Sequence, residues 1–269
     1  MYGQTVTCTA RVASSSGAPP NGESVTFYDG ANVLATETLS GGTATLSDST
    51  LAVGTAKVKA VYGGDSNLSG STSAVLSLTV GKATPTIAWT PSASITYGTN
   101  LSGVLNATAN VPGTFSYKSD STAETASKIL AAGSYSLTAT FKPTSTADYG
   151  DATATAPLTV DQAPTTTTFT STNPTITLSA SGTASTTVDF EVTSYKPTGT
   201  VLLAPSGPGT ATCTPATCKG TISSATGKGS VKLAFTTAGT YTVNATYQPD
   251  ANHTGSTSAS PLTVTVNPH

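Results

Sequence analysis

Residues 238–247 read Ala-Gly-Thr-Tyr-Thr-Val-Asn-Ala-Thr-Tyr, and this stretch constrains the fold more than any other. Tyr241, Val243, Ala245 and Tyr247 fall at every second position, with Thr242, Asn244 and Thr246 between them. That period puts one set of side chains on each face of an extended strand, with the apolar face toward a core. A polar turn, Gln248–Gly255, follows, and then a second strand ending Leu262-Thr263-Val264. The same unit occurs twice earlier. It runs from Ala132-Gly133-Ser134-Tyr135 through Leu137, Ala139 and Phe141 to Leu158-Thr159-Val160. It also runs from Val53-Gly54-Thr55-Ala56 through Val58, Ala60 and Tyr62 to Leu78-Thr79-Val80. In that first copy Lys57 and Lys59 take the outward positions, which argues against a buried lysine crosslink.

The three Leu-Thr-Val markers end at 80, 160 and 264. A chain of 269 residues punctuated in this way predicts three domains of ordinary β-sandwich size: 1–81, 82–161 and 162–269. Lys82-Ala83-Thr84-Pro85 and Gln162-Ala163-Pro164 read as short linkers between them. The marker spacing of the third domain, 160 to 264, is 24 residues longer than that of the second, 80 to 160, and the excess maps to a Gly/Pro/Ser/Thr-rich insertion at 205–228. Long loops on rigid scaffolds often carry specificity, so any particular recognition is expected there.

Composition narrows the function classes. About a fifth of the chain is Thr, a strand former, with abundant Gly and Pro for turns. Only 9% of residues are charged and the net charge is −2. No basic patch suited to nucleic acid is present, and no apolar run is long enough to span a membrane. The first residues, Met1-Tyr2-Gly3-Gln4, are not a signal peptide. The Thr-rich, charge-poor composition nevertheless reads as extracellular, so an export signal would lie outside this segment.

In the first domain strands are expected at Thr5–Val12, with Val6, Cys8, Ala10 and Val12 inward, and at Ser24–Tyr28, Val33–Thr38, Thr43–Leu46, Ala56–Tyr62 and Ala74–Val80. Asp29-Gly30 is a hairpin turn signal. Tyr97-Gly98-Thr99 of the second domain matches Tyr2-Gly3-Gln4 of the first. The second domain has a further strand before that point, around Pro85–Thr90, and the first does not. The first domain is therefore expected to lack its first strand and to leave the neighbouring edge unpaired. Later strands are expected at Val104–Ala109, Thr114–Tyr117 and Ala152–Val160, and in the third domain at Thr165–Thr170, Ile176–Leu178, Thr187–Val192, Gly199–Leu203, Ser230–Phe235 and Ser260–Val266. Trp89 is the single tryptophan; a core or interdomain anchor is the expected role, a sugar platform the alternative.

Several segments together resemble bacterial immunoglobulin-like repeat domains of the group-three kind. They are Gly22–Gly30, Leu51–Thr55, Tyr62-Gly63-Gly64-Asp65-Ser66-Asn67 and Gly70–Ala74, echoed by Tyr247–Asn252 and Gly255–Ala259, with Thr146–Tyr149 in the same turn of the more divergent second domain. The resemblance implies an all-β chain of three tandem immunoglobulin-like β-sandwich domains arranged end to end. The Gly-x-Tyr starts at Tyr135 and Tyr241 are similar to the tyrosine corner of that fold, in which the phenol ties the strand start to nearby backbone. Ala56 takes that place in the first domain, and Val58 stands where an inter-sheet disulfide cysteine would be. Such repeats serve as spacers and stalks in long surface or secreted proteins.

Few residues suggest chemistry. Cys213 and Cys218, inside the insertion, are expected to form a local disulfide; no second Cys or His pair accompanies them for zinc. Cys8 is expected to be a free, buried thiol. Asp65/Asn67 and Asp250/Asn252 are the only calcium candidates. Calcium needs six to eight oxygens, so an Asx turn is the simpler reading. Asp250 near His253 reads as a coincidence of the turn, and no catalytic motif or cofactor signature is present. The expected role is a spacer or stalk of a larger secreted or cell-surface bacterial protein, roughly 110 Å long, with adjacent domains of the parent as its partners. The alternative is an adhesive module whose insertion binds a glycan or protein.

Overall fold

The computed structural model describes residues 1–269 apart from Ser16 and Ala18. Backbone pairing closes within three successive stretches of chain, each with two sheets.

In the first stretch, β1 (Val6–Arg11), β2 (Ser24–Asp29), β3 (Asn32–Thr38), β4 (Thr43–Asp48), β5 (Gly54–Gly64), β6 (Ser69–Thr72) and β7 (Leu76–Val80) follow in order. β1 pairs antiparallel with β4 alone among the described strands, while β3, β2, β5 and β6 form the second sheet, with β7 also on β5. Gly30, at φ 59°, makes the turn between β2 and β3, a conformation that glycine adopts without a Cβ penalty. Val25, Phe27, Ala44, Leu46 and Tyr62 come from both sheets and form one buried cluster. Lys57 is exposed, and Cys8 is a free thiol, half-buried where full burial was expected.

In the second stretch, β8 (Ile87–Ala88) pairs with β10 (Thr108–Ala109), and β9 (Ser94–Thr96) lies parallel to the final strand β14 (Ala152–Asp161). β11 (Gly113–Ser119), β12 (Thr122–Glu124) and β13 (Gly133–Pro143) complete the sheet in the order β12-β11-β13-β14-β9. Two strand expectations shrink here. The strand around Pro85–Thr90 is confined to β8, next to a proline that has no N–H to give a ladder. The strand at Val104–Ala109 is confined to β10. Before it, Leu101–Gly103 forms a 3-10 turn, with the Asn100 side chain accepting from the Ser102 N–H. Leu101 and Val104, three residues apart, are both buried by that turn. Trp89 is half-buried.

In the third stretch, β15 (Thr166–Phe169), β17 (Ala184–Thr193), β21 (Lys228–Phe235) and β19 (Ala211–Thr214) make one sheet in that order. The other sheet holds β16 (Thr175–Thr177), β24 (Leu262–Asn267), β22 (Gly239–Pro249), β18 (Gly199–Ser206) and β20 (Lys219–Thr221), with β23 (Ser256–Thr257) also on β22. Val188, Phe190, Val231 and Leu233 face Val201, Leu203, Tyr241, Val243 and Val264 across one core, all at 0–1% exposure. The 205–228 segment corrects the expectation of a loop. Pro205 and Ser206 end β18, β19 joins one sheet and β20 the other, so the segment crosses the sandwich as paired backbone. Its composition hides this because the pairing is made with distant strands rather than announced by local propensity.

The chain packs into two compact units: residues 1–89 with 107–116 and 139–154, and residues 90–106 with 117–138 and 155–269. The middle stretch contributes to both.

Candidate functional site

The polar turn after each long strand is where the chain does something beyond building a core. In the first stretch Asp65 Oδ1 accepts from the Asn67 and Leu68 backbone N–H groups, both at 2.6 Å. In the third, Asp250 Oδ1 accepts from the Asn252 N–H at 2.7 Å. These are Asx turns, in which the carboxylate replaces a backbone acceptor. The hydrogen bonds donated by Asn67 and Leu68 hold the Asp65 carboxyl below its ordinary range. For Asp250, burial pushes the carboxyl up, but hydrogen bonds from Thr198, His253 and Asn252 outweigh it, and the net direction is down. Each candidate calcium pair thus sits in its own turn with its carboxylate already engaged. No group of three or more His, Cys, Asp or Glu able to share a metal occurs among the described residues.

The residue after the Asx turn decides what the turn docks. The His253 side chain is fully buried, an uncommon state for an imidazole. Its Nδ1 lies 2.7 Å from Asp250 Oδ1 and its Nε2 lies 2.8 Å from the Tyr195 carbonyl oxygen. The ring is thus held at both nitrogens, by a side chain on one side and backbone on the other. Asp250 and His253 are therefore a built pair, which corrects the reading of their proximity as a coincidence. The Tyr97 ring stands edge-on to His253, with centroids 5.3 Å apart, and edge-on to Tyr195 at 5.6 Å. Gly98, at φ +100°, lies under Tyr195: a Cβ there would come within 2.8 Å of the ring. Asn252 Oδ1 accepts from the Ala132 N–H at 2.8 Å. Residues 97, 98 and 132 of the middle stretch thus meet 195, 252 and 253 of the third within one compact unit.

The linkers join the same turns. Ala163 forms a parallel bridge with His253: its N–H donates to Asn252, and its carbonyl accepts from the Thr254 N–H. Ala83 forms the matching bridge with Tyr149, donating to the Asp148 carbonyl and accepting from the Gly150 N–H. Tyr149 therefore occupies the place of His253, and the Tyr2 ring stands edge-on to it at 5.4 Å, within the other unit. Tyr2 and Tyr97 are themselves anchored alike, Tyr2 N–H on the Gly81 carbonyl and Tyr97 N–H on that of Asp161. Sequence reasoning saw the repeated Tyr-Gly at 2–3 and 97–98 but used it only to align strands. The signal for its role was the matching aromatic or imidazole ring at 149 and 253.

Elsewhere, Cys213 and Cys218 are joined by a disulfide with Cα atoms 5.0 Å apart. Cys213 pairs with Leu233 in one sheet, and the Cys218 carbonyl accepts from the Leu203 N–H in the other, so the bridge ties the sheets together. The phenols of Tyr135 and Tyr241 each donate to the carbonyl four residues back, Ala131 and Thr237, both at 3.0 Å. These are the strand-start ties that the Gly-x-Tyr pattern implies.

Residues 1–81 match the bacterial Ig-like domain (group 3) family. No curated protein sequence matches the chain. Among solved structures, the chain is similar to the fibronectin(III)-like modules of Clostridium thermocellum CbhA, at 13% identity over 99% of this chain and 87% of that one, with a TM-score of 0.25. Invasin, a bacterial integrin-binding protein, matches at 15% identity over 99% of this chain, with a TM-score of 0.37; the chain spans 57% of invasin's structure. Domains 4 and 5 of the S-layer protein SbsC match at 14% identity over 91% of this chain and 99% of theirs, with a TM-score of 0.30.

Proposed function

We propose that this chain is a structural spacer in a larger secreted or cell-surface bacterial protein, with 1–81, 82–161 and 162–269 as three Ig-like sandwiches in series. The observation that carries the reading is the repeated seam. Each linker is hydrogen-bonded to the turn of its own sandwich, and a Tyr-Gly from the preceding one closes on that turn's ring. Short linkers bound in this way resist bending more than Gly/Ser linkers of the same length would. A seam of rings and backbone hydrogen bonds also limits the hinge motion that is the default between domains. The function is mechanical, to hold a distal domain at a distance, and adjacent domains of the parent protein are the partners. The reading assigns no reaction to the chain.

Small-angle scattering of the full chain tests it. A maximum dimension on the order of 110 Å that is unchanged by salt supports a spacer; a compact, collapsing profile overturns it. The adhesive alternative is tested on a glycan and surface-protein array. Deleting 206–228 would remove paired strands, so substitutions in the exposed turns at 215–217 and 223–226 are the proper control. Binding that those substitutions abolish would replace the spacer reading.

A further inference from the structure

Residues 207–221 supply an edge to both sheets of the third stretch. β19 is the last strand of one sheet, on β21, and β20 is the last strand of the other, on β18. Both ladders are short: residues 211–214 lie against 232–235, and residues 219–221 against 200–202. Between the two, the chain crosses from sheet to sheet in residues 215–218.

Little else holds this segment. It contains no Val, Ile, Leu, Met, Phe, Tyr or Trp, so it lacks the large apolar side chains whose burial fixes the other strands. Ala211 and Cys213 are the side chains of the segment that pack on the core. The rest of its cover is backbone. Gly207 lies on the Tyr241 ring and Gly220 on the Phe190 ring, where a Cβ would collide with ring carbons. Both rings are wholly buried. The segment therefore covers the core without being anchored in it. Cys218 also sits at φ +57°, a region in which a Cβ crowds the neighbouring backbone. Its N–H donates to the Pro215 carbonyl, its own carbonyl accepts from the Leu203 N–H, and its sulfur is bonded to Cys213.

We propose that the Cys213–Cys218 bond is a redox-sensitive latch that keeps both sheet edges covered, and not a staple of the whole fold. A dithiol reductant gives two electrons and two protons to the S–S bond; two thiols form, and the reductant closes to its own disulfide. With the bond cut, β19 and β20 depend on their own short ladders and Cys218 is free to leave the left-handed region. Residues 207–221 then open as a unit, baring the edges of β18 and β21 and the rings of Tyr241 and Phe190. Segments with few buried apolar contacts are the ones that open locally. The cysteines are only five residues apart, so the bond constrains the unfolded chain little and the remaining core stays folded.

Amide hydrogen exchange on the full chain reads the latch, because the Leu203 N–H is donated to Cys218. Dithiothreitol at neutral pH should raise exchange at Leu203 and across 211–221 about tenfold, and leave the β22–β24 ladder within about twofold. The chain carrying Cys213→Ser and Cys218→Ser should match the reduced chain with no reductant present. Trypsin should also cut it after Lys219, a site that the paired strand protects in the oxidised chain. Unchanged exchange at Leu203, once mass spectrometry shows both thiols free, overturns the proposal. A rise by the same factor in the β22–β24 ladder, or failure of the double-serine chain to fold, also overturns it, since the bond would then staple the whole core.

Discussion

The ring of Tyr97 stands at 86° to that of His253 with their centroids 5.3 Å apart, and Tyr2 repeats the arrangement on Tyr149 at 81° and 5.4 Å. Edge-to-face rings at this spacing contribute about 0.5–1.5 kcal/mol beyond the area they bury. Replacing Tyr97 with Ala should therefore lower the denaturation free energy of the third stretch by about 1–2 kcal/mol. It should also broaden amide resonances at residues 132 and 252. Unchanged resonances at both would show that the ring does not hold the seam.

Gly98 is a sharper test of the same contact. Alanine there must accept φ +100° and place its Cβ against the Tyr195 ring, whereas Gly3, at φ +76°, has nothing within 4 Å. Gly98→Ala should destabilise by about 2–3 kcal/mol and Gly3→Ala by about 1 kcal/mol. Urea denaturation of the two variants separates the steric part from the backbone part.

His253 is a buried keystone between two acceptors. His253→Ala leaves the Asp250 carboxylate and the Tyr195 carbonyl short of a donor and opens a cavity, a loss of roughly 2–4 kcal/mol. Urea denaturation of the variant measures the loss, and a cost below about 1 kcal/mol would show that the buried ring does not hold the turn.

The two phenol ties differ by burial alone. Tyr241 is fully buried and Tyr135 is half-buried, with the same 3.0 Å bond to the carbonyl four residues back. Tyr241→Phe should cost about 1–2 kcal/mol and Tyr135→Phe well under 1 kcal/mol, because the carbonyl freed at 131 is open to water. Equal costs would mean that the bond, and not its burial, sets the energy.

Tyr62 gives a pH dependence. Its phenol donates to Glu23, and that hydrogen bond, with burial and the Glu23 charge, pushes its pKa up to about 12 from 10.0. A folded pKa raised above the unfolded one gives stability that is fully present below pH 10 and is lost as the pH rises toward 12. The first stretch should therefore weaken steeply between those values, and Tyr62→Phe should flatten that slope. A slope unaltered by the substitution would assign the alkaline loss to other groups.

Local chemistry alone determined much of this protein. The alternation at 241–247 and 135–141 names which side chains enter the core, because Cβ direction in a strand has period two whatever the strand pairs with. The Asp-x-Asn spacing likewise names an Asx turn, since the bond closes within three residues. Tertiary structure decided what those elements meet. Residues 211–214 and 219–221 are strands only because β21 and β18 lie beside them. His253 is buried only because Tyr195 and Tyr97, far away in the chain, close over it. Such contacts depend on where separate segments end in space, and one-dimensional periodicity carries no record of that.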